Sequence, residues 1–325
     1  MTLSGSLPRL LDSALDRSVV LGFSRIGLGV RSRLPGWPSD PPPGALLGRD
    51  VAVTGATSGL GLATALGVAA LGARVHLVVR DEEKARGVVA RISAATPSAV
   101  VEVHRCDVGD LDDVKRFAGS FVASGHRLDV LVHNAGVMPP KRTESPQGHE
   151  LATAVHVLGP VLMTELLRPS FAASGGARVM LVTSGGMYAQ ALRADDPEYL
   201  RGSYSPTEAY ARSKRAQVEL LPILQQRWAP DGCLVWATHP GWAATPGVAE
   251  SLPRFDRLTK PILRDGPGGA DTTVWLSAVQ PAPPGGGLWH DRRQRPTHFL
   301  PRTRPRAGDV DRMWAWVAEQ TGITG

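Results

Sequence analysis

Six short apolar runs, rich in β-branched residues, recur along this chain, each followed by a segment of helical length. The runs are Val51–Val53, Val75–Val79, Val100–Val103, Val130–Val132, Val179–Val182 and Leu234–Ala237. Strands so nearly uninterrupted are expected where both faces of a parallel sheet are covered. The segments between them, starting near Leu60, Asp81, Asp110, Gly148 and Thr207, supply the crossovers. Strict alternation of this kind predicts a doubly wound α/β sheet of about seven parallel strands with helices on both faces, in a single domain. Gly266–Gly269 breaks the chain before another helical run, Ala270–Val279. Pro281–Gly287 is a second break, and Asp309–Gln320 reads as a final helix.

The first forty residues do not share this alternation. Leu11, Leu15, Val19, Phe23, Ile26 and Val30 recur every three or four positions, with Arg17, Arg25, Arg31 and Arg33 between or after them. That is the pattern of a basic amphipathic helix, weakened toward its end by Gly22, Gly27 and Gly29. Two arrangements suit it: packing on the domain or on a second subunit, or peripheral contact of residues 1–33 with an anionic membrane. Leu34–Gly44, with Pro35, Pro38, Pro41, Pro42 and Pro43, reads as a stiff non-helical linker. The chain thus divides into an extension with its linker, 1–44, and a main domain, 45–325.

At 325 residues, with 42% hydrophobic and 20% charged residues, the chain can bury the core of a globular enzyme. A net charge of +6 bears on solubility and encounter with anions and not on fold. Cys106 and Cys233 are far apart and lack C-x-x-C spacing, so the cysteines predict neither a metal cluster nor a disulfide framework and suit a reducing compartment. No apolar run approaches the roughly 20 residues of a spanning helix, and no secretory signal pattern opens the chain. A cytoplasmic location is the resulting expectation.

Thr54-Gly55-Ala56-Thr57-Ser58-Gly59-Leu60-Gly61 follows the first strand and opens the first long helix. Glycines let the backbone turn tightly and approach a pyrophosphate, and a helix start offers unpaired N–H groups with a positive dipole end. The stretch therefore predicts a dinucleotide site. At the end of the second strand an acid would grip a ribose 2′-hydroxyl, whereas an arginine suits a 2′-phosphate. Val79 stands where the acid is expected and Arg80 follows, which favours NADP(H) over NAD(H). Asp81 next door keeps NAD(H) open, and Arg80 could equally be a surface partner of Glu83.

Tyr210 and Lys214 are four residues apart in a helical segment and so share a face. A cation beside a phenol favours the phenolate and is expected to lower its pKa from about 10, making a general acid or base.

Taken together these residues resemble the short-chain dehydrogenase/reductase family. The similarity runs from Asp50 to about His290 and rests on ordered motifs at successive strand ends. They are the Thr54–Gly61 loop, Asp107-Val108, Asn134-Ala135-Gly136, Ser184, the Tyr210/Lys214 pair, and Pro240-Gly241 with Thr245. Ser184-Gly185-Gly186-Met187, His239–Val248 and Gly269-Ala270-Asp271-Thr272 place it near the retinol-dehydrogenase-like reductases. The resemblance implies a Rossmann-type domain and NADP(H)-dependent hydride transfer to or from a lipophilic carbonyl or alcohol. It assigns proton transfer to Tyr210, support of Tyr210 and of the nicotinamide ribose to Lys214, and a hydrogen bond to the reacting oxygen to Ser184. Gly55, Thr57, Ser58, Gly59, Leu60, Gly61 and Arg80 would hold the phosphates. Asp107 and Val108 would lie by the adenine, Asn134, Ala135 and Gly136 along the cofactor, and Pro240, Gly241 and Thr245 by the carboxamide. Family members also suggest a homo-oligomer.

One position departs from the family pattern. The asparagine expected in the helix after the fourth strand is His156. An imidazole there could bond the backbone or water and relay a proton, or be a satisfied core histidine with the relay impaired. The second case would make the protein a catalytically weak or silent NADP-binding sensor or scaffold.

Arg292, Arg293, Arg295, Arg302, Arg304 and Arg306 concentrate charge near the C-terminus. No aromatic stacking series accompanies them and prolines interrupt them, so a solvated face or an anionic contact is predicted and nucleic acid is not. Met313, Trp314 and Trp316 read as docking residues of the last helix. Tyr188, Tyr204 and Trp242 are candidates for an apolar substrate pocket.

Overall fold

The sheet contains β1 (Asp50–Thr54), β2 (Arg74–Val79), β3 (Val101–Arg105), β4 (Val130–His133), β5 (Arg178–Val182), β6 (Leu234–Thr238), β7 (Gly287–His290) and β8 (Arg293–Arg295). Their order is β3-β2-β1-β4-β5-β6-β7-β8; β1 to β7 are parallel and β8 is antiparallel. This computed structural model describes residues 6–245, 247, 257 and 259–324, so Pro246 and Val248 of the His239–Val248 motif and residues 1–5 of the extension lie outside it. The six predicted strands are present, each longer by one or two residues. β7 and β8 carry the count to eight; they have no β-branched residue and exist by pairing, β7 onto β6 and β8 onto β7, so periodicity does not reveal them.

Ahead of the sheet lie α1 (Ser6–Arg17), α2 (Val19–Phe23) and α3 (Arg25–Arg31). The crossovers are α4 (Gly59–Ala70), α5 (Glu82–Ala95), α6 (Leu111–Ala123), α7 (Leu151–Thr153), α8 (Gly159–Leu166), α9 (Arg168–Ser174), α10 (Pro206–Glu219), α11 (Leu221–Trp228) and α12 (Gly266–Ala278), with α13 (Asp309–Thr321) last. Alternate strand residues face opposite layers. Val51, Val53, Val75 and Leu77 pack with Val68, Val88, Ile92 and Leu276 of α4, α5 and α12. Ala52, Leu131, Val179 and Val235 pack with Phe117, Phe121, Leu162 and Leu224 of α6, α8 and α11. Each fully buried Val, Leu or Phe contributes about 1.5–3 kcal/mol, so the two layers hold the strand ends rigidly for whatever the loops carry. Local signals agree with the packing: Asp81 caps α5 by accepting from the Lys84 amide at 3.1 Å, and Asp110 caps α6.

The N-terminal segment is not the single helix that its periodicity predicts. It breaks at Ser18 and Ser24 into α1 to α3 and folds back so tightly that a Cβ on Gly22 would lie 2.0 Å from the Leu15 carbonyl oxygen. The described part packs on the main domain, with the Phe23 carbonyl accepting from the Trp242 amide. Leu15 and Phe23 are buried, while Leu11, Leu21 and Ile26 stay exposed. The proline-rich stretch is pinned as well, since the carbonyls of Pro38 and Ser39 accept from Arg292 and Trp275. Among the described residues no single helix is long and apolar enough to cross a membrane.

The predicted solvated arginine face is overturned for Arg292 and Arg295. Both are 7% exposed, Arg292 paired with Asp271 and Asp40, Arg295 with Asp12 of α1. Their acidic partners come from distant segments, which no local pattern announces. Arg302, Arg304 and Arg306 are exposed, and Met313 is buried with Trp314 and Trp316 packed beside it, as expected for the last helix.

Candidate active site

The strand order reverses between β1 and β4, so the loops leaving their carboxyl ends diverge and open a crevice at that switch point. The Thr54–Gly61 turn lines it. Gly55 has φ +64°, and a Cβ there would stand 2.7 Å from Ala135 Cα. One on Gly61 would stand 2.4 Å from Asn134 Nδ2. Thr54 Oγ1 accepts from the amides of Asn134 and Ala135, both at 3.0 Å, and Asn134 Nδ2 donates to the carbonyls of Thr54 and Gly55. The Asn134 side chain is therefore a clasp between two loops, leaving Ala135 and Gly136 to border the crevice. Thr54 performs the other half of that clasp, a role its place in the motif did not disclose.

Gly59 begins α4, and Ser58 at its cap makes no side-chain bond to the helix. The first-turn N–H groups thus remain available beside Thr57 and Leu60, and a pyrophosphate suits such a helix start. Arg80 is exposed at the end of β2, with Nη1 3.8 Å from Asp107 Oδ2, not paired with Glu83. Asp107 Oδ1 accepts from the Gly109 amide at 2.9 Å, and Val108 is buried. The donors and glycines present fit a dinucleotide along this edge.

Ser184 leaves β5 and starts the single turn Gly185–Ala189. Pro206 at the first position and Ser205 at the cap set the start of α10, which carries Tyr210, Ser213 and Lys214. Ser184 hydrogen-bonds Tyr210, which remains partly exposed. Lys214 is buried and its Nζ donates to the Val182 carbonyl at 2.8 Å, 5.6 Å from the centre of the Tyr210 ring.

The expected lowering of the phenol pKa is not met. Burial raises it, opposed by the Ser184 bond. The ammonium sits by the ring rather than at the hydroxyl, and burial brings Lys214 itself down to about 7. At neutral pH this leaves a neutral phenol, a proton donor, above a lysine balanced between its two forms.

His156 lies in a π turn, Ala154–Leu158, between α7 and α8. Its Nε2 accepts from the Val137 amide at 3.0 Å, so the ring proton is on Nδ1, 2.7 Å from Ser213 Oγ. Ser213 Oγ in turn donates to the Tyr210 carbonyl at 2.8 Å. Burial, and then the Lys214 charge, hold the imidazole well below its usual range. The ring stands edge-on to Tyr210 with centres 5.2 Å apart. His156 is therefore a neutral, fully bonded positioning group that ties the β4 loop to α10. Ser213 is a member of this network that spacing alone did not mark.

Beyond β6, Gly241 has φ +75°, and its amide donates to His239 Nδ1. The Phe23 carbonyl accepts from the Trp242 amide at 2.7 Å, and Arg264 pairs with the strand-like stretch through its own backbone. Pro240, Gly241 and Thr245 thus sit in a loop held from outside by the N-terminal segment. Phe23, wedged 4.3 Å from the His239 ring, also packs against Gly185, next to Ser184. Two of the candidate pocket aromatics are committed elsewhere. Tyr188 stacks on Phe299 and donates to the Pro296 carbonyl, and Tyr204 donates to Glu150. Trp242 packs partly buried against the core.

A parallel sheet with a glycine turn at its switch point, and Ser184, Tyr210 and Lys214 gathered at the same edge, defines a nucleotide-dependent oxidoreductase of the Rossmann class. The chain belongs to the short chain dehydrogenase family, whose model matches residues 49–254. It is 37% identical over 271 residues to dehydrogenase/reductase SDR family member 12 of Bos taurus, covering 82% of this chain and 84% of that protein. It is 32% identical over 282 residues to retinol dehydrogenase 12 of Bos taurus, covering 86% and 88%. A solved metagenomic short-chain oxidoreductase in complex with NADP superposes with a TM-score of 0.53 at 26% identity, covering 81% of this chain and 99% of that one. The family uses a nicotinamide cofactor.

Proposed function

We propose that this protein is an NADP(H)-dependent reductase of lipophilic aldehydes or ketones, which also runs in the alcohol-oxidising direction. The observation that carries the reading is that Ser184 after β5 bonds the Tyr210 phenol of α10 while Lys214 Nζ lies 5.6 Å from the centre of the same ring, all at the carboxyl edge of the sheet beside the glycine turn. When bound, the nicotinamide supplies or removes the hydride. Ser184 orients the substrate oxygen, and Tyr210 Oη gives it a proton as negative charge develops there. A neutral phenol suits that donation at pH 7, and Lys214, held on the Val182 carbonyl beside the Tyr210 ring, supplies positive charge near the reacting oxygen while it is protonated.

Preference for NADP(H) is supported by Arg80, whose guanidinium is exposed where a 2′-phosphate would lie. The neighbouring Asp81 is engaged as the cap of α5, which weakens the case for a ribose hydroxyl partner. A lipophilic substrate is supported by the likeness to a protein named for retinol. Following the nicotinamide absorbance with NADPH and a panel of apolar carbonyls tests the reading. Tyr210→Phe is expected to lose about 10²–10⁴-fold in turnover while still binding NADPH. Equal turnover by that variant would remove Tyr210 from its role. NADPH binding with no turnover of any carbonyl by the unaltered protein would favour the binding-only reading.

A further inference from the structure

Three histidines and a glutamate gather on the α6 face of the sheet, away from the crevice. In the register of β2 and β3, His76 pairs with Glu102 and Val78 with His104, so Glu102 and His104, two apart on β3, share the face of His76, one directly opposite it and the other one step further along. His126 approaches from just beyond the end of α6. His76 Nδ1 lies 3.0 Å from His104 Nε2 and 3.9 Å from Glu102 Oε2, and His126 Nε2 lies 3.4 Å from that same oxygen. One ligand atom each from His76, Glu102 and His104 falls within 4.8 Å of the others. In a tetrahedral site with metal–nitrogen bonds of about 2.0–2.1 Å, ligand atoms stand about 3.3 Å apart. The spacings observed bracket that value.

The hydrogen bonds around the cluster leave ligand atoms turned inward. His76 Nε2 is 3.0 Å from Asp50 Oδ1; an ionised carboxylate only accepts, so Nε2 carries the ring proton and the Nδ1 lone pair points at the cluster. A histidine ligand commonly bonds a carboxylate through its second nitrogen in this manner. Arg74 donates to Glu102 Oε1 at 2.9 Å, which leaves Oε2 turned to the histidines. Phe121 lies edge-on to His76 with ring centres 5.1 Å apart, and Phe117 lies 5.6 Å from His104, so both rings are held in place. The cysteine pattern predicts no metal cluster, but it is blind to a site built of imidazoles.

We infer that His76, Glu102 and His104 bind a zinc-class divalent ion, with His126 facing the fourth position. Nitrogen-rich ligation with one carboxylate selects zinc over magnesium or calcium. The ion would join the edge strand β3 to β2 and the end of α6. Since His76 lies toward the amino end of β2 and the glycine turn lies past the carboxyl end of β1, its contribution is to the stability of the edge, apart from the chemistry.

The test is calorimetric titration of the chelator-treated full chain with zinc chloride, with cobalt(II) as a spectroscopic probe. One zinc per chain is expected, together with the intense visible absorption of four-coordinate cobalt. Glu102→Gln and His104→Gln should each weaken binding by at least about 100-fold, and Asp50→Asn by about 10–100-fold. At zinc a hundred times its Kd, Tm should rise by roughly 3–6 °C in the unaltered chain and stay unchanged in the two ligand variants. NADPH binding, measured in parallel, shows that the variants are folded. No saturable zinc binding by the unaltered chain, or affinity unchanged in both ligand variants, would overturn the proposal.

Discussion

Asp291→Asn is the sharpest probe of how the N-terminal segment is joined to the catalytic domain. Asp291 follows β7 and its side chain is 1% exposed. Its Oδ1 accepts from Arg264 Nη1 at 2.6 Å, and its Oδ2 from Arg264 Nη2 at 3.0 Å and Arg31 Nη1 at 2.7 Å. Asparagine keeps the volume and tolerates the left-handed φ of +51°, so neither cavity nor backbone strain confuses the result. It does replace one acceptor with an NH₂ aimed at a guanidinium, leaving buried Arg264 with the carbonyls of Gly22, Phe23 and Ser24 while Arg31 keeps Asp12. Breaking a buried ion pair in this way costs about 3–5 kcal/mol. Urea unfolding at pH 7 should show that loss as a lower midpoint with m unchanged.

The same variant carries a pH signature. Desolvation opposes ionisation of Asp291, but His290 and the arginines more than offset it and hold the carboxyl well below the usual range. A depressed folded pKa adds stability that is fully present above the unfolded value of about 3.9 and is lost as pH falls below it. The unaltered protein should therefore lose stability more steeply below pH 4 than Asp291→Asn does. Arg31→Gln in the Asp291→Asn background should cost less than it does alone, because the contact is already broken. A loss under about 1 kcal/mol for Asp291→Asn, with additive effects in the pair, would refute the claim that α1 to α3 are integral to the fold.

Two further outcomes follow from the site. Arg80→Ala should raise the KM for NADPH about 10–100-fold and leave that for NADH unchanged, the loss of one or two charge-assisted bonds to a phosphate; an equal change for both cofactors would argue against a 2′-phosphate contact. Burial brings the folded pKa of Lys214 down to about 7 from the 10.5 of an unburied lysine, so its burial cost is complete below pH 7 and is relieved as pH rises toward the unfolded value. Lys214→Met should thus be more stable at pH 7 by roughly 1–4 kcal/mol, lack that rise between pH 7 and 10, and have no turnover, as denaturation and activity profiles will reveal.

Much of the architecture is legible along the chain because its signals are local. β-branched runs mark β1 to β6, the capping residues Asp81 and Asp110 fall within a residue or two of the predicted starts, and the glycines of Thr54–Gly61 sit where the backbone must turn. Tyr210 and Lys214 are recognisable because helical periodicity alone puts them on one face. β7 and β8 escape this reading, since Gly287–His290 becomes a strand only on the free edge of β6 and Arg293–Arg295 only on that of β7. The arginines near the C-terminus mislead for a related reason: charge shows in sequence, but its burial depends on where Asp12, Asp40 and Asp271 arrive.

The chain alone determined which chemical groups line the crevice and roughly where each strand and helix begins, because those properties depend on neighbours within a turn or two. Tertiary structure decided their electrical state and their support. Whether Tyr210 is phenol or phenolate depends on desolvation and on where the ammonium comes to rest. Whether His156 relays or merely holds depends on Val137 and Ser213 reaching its two nitrogens. Phe23 meets His239, and Asp50 meets His76, only after the sheet has brought distant segments together, and interactions that exist only at close range leave no trace in linear order.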